Sequence, residues 1–260
     1  ISIYYFKKWE INKSKVLDKY IILQIIFLAL ATYTRQYFAV FFIYFLYRYY
    51  CIINLKSFIN LFLICIITSL PVLAYTYIHP ALITGQHISI NSINYFLLGN
   101  PSMMSLYLLP IIIINLIFGK IRLNKDIFVY FIISSIFVFL LSLNFDPKNW
   151  QGGGVNMMIS KVLFNNNIYF LLTSIFTYTF FIYLFFEKKI NVILILILTF
   201  MFFSYQAYQR YYEPMFFLIF FTLFETNLKK VFAQKTSACF ILLFYCLIYY
   251  LVAISDFIYN

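Results

Sequence analysis

Two short polar turns interrupt otherwise apolar sequence in the same way. The first centres on Arg35, Gln36 and Tyr37, the second on Arg210, Tyr211 and Tyr212, with Glu213 and Pro214 following. A guanidinium presents a planar fork of donors that matches a phosphate, and it stays charged when partly desolvated. Two such turns on one face of a bundle could therefore grip an anionic headgroup. Taken singly, each arginine also reads as an interfacial anchor whose head snorkels to lipid headgroups. Glu213 stands where it could neutralise Arg210, and Pro214 suits the first turn of a following helix.

The remaining polar chemistry is sparse. His79 and His87 are the only histidines, eight residues apart with no carboxylate between them, which is poor spacing for a zinc site. His87 could act in proton transfer or as a hydrogen-bonding group, with a plain loop role as the default. The run from Asn144 through Asp146, Pro147 and Trp150 to Gly152, Gly153 and Gly154 is glycine-rich but too short and wrongly flanked for a nucleotide loop. Asp146 is a weak candidate for a catalytic carboxylate and a better one for a turn beside Pro147. Cys51, Cys65, Cys239 and Cys246 lie singly in or beside apolar runs and read as small apolar residues. No cofactor motif is present, no metal site is expected, and a divalent cation remains compatible with the sequence.

The elements that must position these groups are set by the solvent the chain requires. Of its 260 residues 64% are hydrophobic and 10% charged, with a mean hydropathy of +0.90. Soluble domains have about 45–50% apolar and about 25% charged residues, so lipid is the expected surrounding. A crossing takes about 20 apolar residues, fewer where the bilayer thins. On that rule the sequence predicts an all-α, polytopic transmembrane bundle of about nine spans, over residues 20–34, 37–53, 58–78, 105–118, 127–143, 168–186, 190–205, 214–224 and 238–254. A continuous helix over 20–53 would be about 51 Å long, too long for one crossing, which makes a hairpin turning at Arg35 the better reading. The whole chain reads as a single transmembrane helical domain, with longer polar connections at 79–104 and 144–167.

If the nine spans alternate, fifteen of the nineteen basic residues share one set of connections, and only Arg35, Lys148, Lys161 and Arg210 share the other. The positive-inside rule makes the first set cytoplasmic, so the net charge of +11 is mainly an orientation signal. A nucleic-acid reading fails because no contiguous solvated basic domain exists. The charge-poor face carries both arginine turns and both long connections, and binding groups gather on such faces. It is expected outside the cytoplasm of a bacterial inner membrane, or in the lumen of the endoplasmic reticulum. The chain opens without methionine and runs directly into a basic stretch, so it is expected to be an N-terminally truncated fragment.

In this arrangement the chain resembles the GT-C class of membrane glycosyltransferases. It is nearest to the alpha-1,2-glucosyltransferase family that completes dolichol-linked oligosaccharide, together with its bacterial relatives. Arg35-Gln36-Tyr37 matches the first two positions of that family's Arg-Gln-Thr-Asn stretch. Gly85, Gln86 and His87, followed by Asn91, Asn94, Tyr95 and Phe96, resemble a shortened form of its next lumenal loop, without the acidic residue and second histidine. Arg210-Tyr211-Tyr212 before Pro214 resembles its late Arg-Tyr-Phe element.

The resemblance implies transfer of a sugar from a polyprenyl- or dolichyl-phosphate donor to a lipid-linked or protein acceptor, with membrane lipid as a further partner. It assigns Arg35 and Arg210 to the phosphate that becomes the leaving group, with Gln36, Tyr37, Tyr211 and Tyr212 as supporting donors. It also puts the catalytic acidic residue upstream of Ile1. The rival readings are a polysaccharide polymerase or ligase, which would carry a larger basic outer loop, and a lipid-linked-sugar flippase or transporter. The second of these would show internal repeats and polar residues buried in mid-span.

Overall fold

A computed structural model describes residues 1–12, 14–78, 90–121, 124–143, 145, 154–201 and 215–259; for 36, 37, 72, 73, 75, 76, 90–92 and 252–259 it describes the backbone. Among the described residues every regular element is helical. The chain forms two compact units, Ile1–Ser89 with Ile193–Phe203, and Ile90–Val192 with Ser204–Asn260.

The first unit holds α1 (Ser2–Asn12), α2 (Lys19–Thr34), a 3-10 turn (Gln36–Val40), α3 (Phe41–Tyr50) and α4 (Leu55–Ile78). Asp18 starts α2 by accepting from the Tyr20 and Ile21 amides at 3.0 and 3.1 Å, which satisfies two of the donors a helix start leaves open. Asn54 starts α4 by the same means, accepting from the Ser57 amide at 2.8 Å. The chain breaks at Arg35, whose backbone is extended at φ −148° and ψ 106°. Beyond it α3 returns along α2, because the Tyr49 hydroxyl meets Gln24 Oε1 at 3.2 Å. The hairpin expected at Arg35 is therefore present.

Helix α1 was not anticipated. The charged run Lys7-Lys8-Trp9-Glu10 reads as a solvated connection, yet Phe6 and Trp9, three residues apart on one face, are fully buried. They pack with Tyr44, Phe45 and Tyr49 at ring-centre separations of 4.5–6.2 Å.

The second unit holds α5 (Ile90–Ile117), α6 (Lys125–Ser142), α7 (Gly154–Phe164), α8 (Ile168–Glu187), α10 (Met215–Thr222), α11 (Lys229–Gln234) and α12 (Thr236–Tyr259), with α9 (Asn191–Phe200) beginning at its edge. Two stretches expected as polar connections are helical: 90–104 forms the first half of α5, and 154–164 forms α7. Gly119 ends α5 in the left-handed region at φ +66°, where glycine carries no Cβ penalty.

Among the described residues three helices are long and apolar enough to cross a membrane: Ile93–Ile117, Lys125–Ser142 and Ile168–Glu187. Of the nine spans expected, these three have that length where side chains are described; the fully described stretches Leu55–Pro71 of α4 and Thr236–Leu251 of α12, and the remaining apolar helices, are shorter. Their surroundings differ. Of the crossing segment of α5, 72% is buried, so it is the centre of its unit, whereas α6 is 11% buried and exposes phenylalanine, isoleucine and valine on most of its circumference. A helix that apolar and that exposed is stable in hydrocarbon and an aggregation hazard in water.

Prolines shape the long helices. A proline inside a helix leaves the carbonyl four residues earlier without its donor, and in hydrocarbon no water replaces it. Pro101 frees Leu97 O, and the Tyr178 hydroxyl donates to it at 2.6 Å; Pro110 frees Leu106 O, and the Tyr245 hydroxyl donates to it at 2.7 Å. In the first unit α4 contains Pro71, and the Tyr33 hydroxyl donates to Thr68 O, three residues before it. Part of the tyrosine content thus repairs proline breaks. Replacing Tyr178 by Phe is expected to lower unfolding stability in detergent by about 1 kcal/mol, within the range of about 0.6–1.7 found for hydrogen bonds between membrane helices. Chemical denaturation followed by circular dichroism measures it, and an unchanged midpoint would contradict the repair role.

Candidate functional site

Arg35 caps the C-terminus of α2 and sits at the tip of the α2–α3 hairpin with an exposed side chain. Its amide donates to Ala31 O at 2.9 Å, so the backbone is anchored while the guanidinium extends outward. Among the described residues the side chain makes no ion pair. Gln36 and Tyr37 lie in the 3-10 turn that follows, with only their backbone described. Arg210, Tyr211, Tyr212, His87 and Asp146 lie outside the described residues. The structure thus gives Arg35 a position, and leaves the proposed meeting of the two arginine turns as an expectation.

The opposite end of the hairpin carries the unit's charge cluster. Glu10 accepts from Lys7 Nζ at 2.5 Å and from Arg48 Nη2, tying α1 to the last turn of α3. Burial alone would raise the Glu10 carboxyl, but the Lys7 ammonium, by hydrogen bond and by charge, and the Arg48 guanidinium outweigh it and hold the group below the ordinary value of 4.5. A depressed carboxylate contributes stability above its unfolded value and loses it as pH falls through the folded value. Melting temperature is therefore expected to drop as pH falls below about 4.5, and Glu10→Gln should flatten that drop. A profile of equal slope in the variant would contradict it. The sixteen residues of α2 separate this cluster from Arg35 by about 24 Å, a large part of a bilayer's hydrocarbon core.

A second group of polar side chains lies wholly inside the other unit. Thr173, Ser174, Thr177 and Tyr178 form one stripe of α8 that meets α5 around Pro101. Ser174 Oγ donates to Leu98 O at 2.8 Å and Thr177 Oγ1 to Pro101 O at 2.7 Å, while Thr173 Oγ1 lies 2.7 Å from Ser102 Oγ. Asn156 of α7 enters from the other side, donating to Ser102 O at 2.6 Å and Ser105 Oγ at 2.9 Å. All of these except Thr173 and Tyr178 are fully or nearly fully buried. The spacing of Thr173, Ser174, Thr177 and Tyr178 on a single helical face was the sequence signal for this network.

These hydroxyls are spent on backbone carbonyls of a broken helix, which makes them a positioning device. A translocation path would need polar groups with spare hydrogen-bonding capacity; in this network Asn156 Oδ1 is buried without a partner, and among the described residues of the unit so are Asn115 Oδ1 and Ser134 Oγ. At the other end of α8, Glu187 accepts from the Thr226 hydroxyl and from the Asn227 amide at 2.7 Å. Asn191 donates to Leu184 O and Glu225 O and accepts from the Glu225 amide, all at 2.9–3.0 Å. These contacts lock the turns at that end of the unit.

No protein-family profile, curated protein or solved structure matches the chain.

Proposed function

We propose that this chain is the helical, membrane-embedded part of a GT-C-type glycosyltransferase. Its spans alternate across the bilayer, with the lysine-rich connections in the cytoplasm and the arginine turns on the opposite face. In this reading Arg35, with Arg210 and the flanking Gln36, Tyr37, Tyr211 and Tyr212, holds the phosphate of a prenyl-phosphate sugar while the sugar leaves for an acceptor hydroxyl. Fixed cationic donors aimed at charge that develops on the leaving phosphate are where such groups accelerate transfer most.

The observation that carries the reading is Arg35. A long, charged side chain stands at the tip of a helical hairpin, about 24 Å along α2 from the unit's own ion cluster, with no carboxylate partner among the described residues. An intramembrane or interfacial arginine left unneutralised is a candidate ligand-binding group. The flippase reading gains less support, because Ser174, Thr177 and Asn156 are held in hydrogen bonds to backbone carbonyls of α5.

The test is transfer itself. The full-length protein is reconstituted in liposomes with a panel of short-chain prenyl-phosphate hexoses and a lipid-linked oligosaccharide acceptor. Release of prenyl phosphate coupled to acceptor elongation supports the proposal; lipid-linked sugar crossing the bilayer without transfer would replace it with the flippase.

A further inference from the structure

The second unit encloses an apolar groove of its own. Helices α5, α6 and α8 leave a cavity of 470 Å³ between them, lined by Ile112, Leu116, Phe128, Phe131, Phe176 and Phe180 among others. That volume falls in the range of about 300–1,000 Å³ usual for small-molecule sites. Its walls are almost wholly apolar, and one end is not. There Asn124, Ile127 and Tyr183 also line a second, polar hollow of 260 Å³, together with Lys120, Asp126 and Tyr130. An apolar slot that shares three residues with a charged vestibule has the division of an amphiphile: tail in one part, headgroup in the other.

The vestibule also specifies charge. Among its described lining residues it holds one cation, Lys120, and one anion, Asp126. Asn124 fixes the anion by donating Nδ2 to Asp126 Oδ2 at 2.9 Å, while its own Oδ1 caps α6 by accepting from the Ile127 amide at 3.1 Å. The other Asp126 oxygen receives no hydrogen bond among the described residues. A headgroup complementary to this lining carries a phosphate for Lys120 and a hydrogen-bonding ammonium for Asp126. The tyrosine hydroxyls of Tyr130 and Tyr183 supply further donors to the phosphate.

We propose that this groove binds one zwitterionic aminophospholipid, of the phosphatidylethanolamine type, from the leaflet on the lysine-rich face. One acyl chain lies between α5, α6 and α8, and the headgroup spans Lys120 and Asp126. The site is independent of the transferase reading, since it uses residues of the second unit alone and rests on a membrane setting for α5, α6 and α8.

The test is lipid retention by the purified full-length protein, read by native mass spectrometry after delipidation and titration. The probes are phosphatidylethanolamine, phosphatidylcholine and phosphatidylglycerol of matched chains. In the wild type, phosphatidylethanolamine is expected to bind about three- to tenfold more tightly than either competitor, because phosphatidylcholine has no ammonium N–H to give Asp126 and phosphatidylglycerol has no cation. Asp126→Asn should bring phosphatidylethanolamine and phosphatidylcholine to parity. Thr179→Trp, which fills the slot, should reduce retention of all three. Stronger retention of phosphatidylglycerol, or equal retention of all three lipids by the wild type, would overturn the proposal without recourse to any variant.

Discussion

Arg35→Ala is expected to cut sugar transfer by about 10²–10³-fold, the loss found when one donor to a developing oxyanion is removed. The effect should fall on kcat with little change in the stability of the protein. The side chain is exposed and unpaired among the described residues, and its helix-capping contact is made by the backbone amide, which alanine keeps. Arg35→Lys should recover part of the rate, because the charge returns while the two-pronged geometry does not. Turnover of the alanine variant within twofold of wild type would leave Arg35 as an interfacial anchor. A parallel drop in melting temperature would point instead to a structural role for the hairpin tip.

The largest stability effect is expected at Trp9. Trp9→Ala should destabilise the first unit by about 3–5 kcal/mol, the usual cost of deleting a buried large aromatic ring. The ring is fully buried, meets Tyr49 edge-on at 4.5 Å between centres, and lies 5.7 Å from Phe6. Its Nε1 also donates to Ser14 O at 3.1 Å, which shapes the turn leading to Asp18 and the start of α2. Trp9→Phe keeps most of the packing and loses that bond, so it should cost about 1 kcal/mol plus a smaller packing term. Denaturation followed by circular dichroism reads both. An alanine variant within about 0.5 kcal/mol of wild type would contradict the burial of α1, since changes that small are typical of surface sites.

What the sequence made legible, and what it concealed, follows from how polar residues are used in a low-dielectric setting. The apolar runs at 20–34, 127–143 and 168–186 became α2, α6 and α8 within a few residues, because runs without polar interruptions leave length as the only question. The break at Arg35 was legible for the same reason. Helix α5 was read fifteen residues too short, since Asn94, Gly99, Asn100, Pro101 and Ser102 carry every local mark of a loop. They are helical because α7 and α8, which lie 51 or more residues further along, supply hydrogen bonds that no local pattern displays. Helix α1 was missed because its lysines and Glu10 dominate its composition, although Phe6 and Trp9 at a spacing of three marked its buried face. Of the proposed phosphate-gripping residues, Arg35 is described in full. The vestibule around Lys120 and Asp126 was invisible beforehand, because its walls come from the turn before α6, from α6 and from the distant α8, and its charges read only as orientation signals.

The most direct test of phosphate gripping is equilibrium binding of a short-chain prenyl-phosphate sugar to the full-length protein, comparing wild type with a variant in which Arg35 and Arg210 are both alanine. Saturable binding by the wild type that weakens at least about a hundredfold in the variant, as expected when two charge-assisted phosphate contacts are lost, is the predicted result. Equal binding by both proteins would contradict it and reduce the two arginines to anchors at the membrane surface.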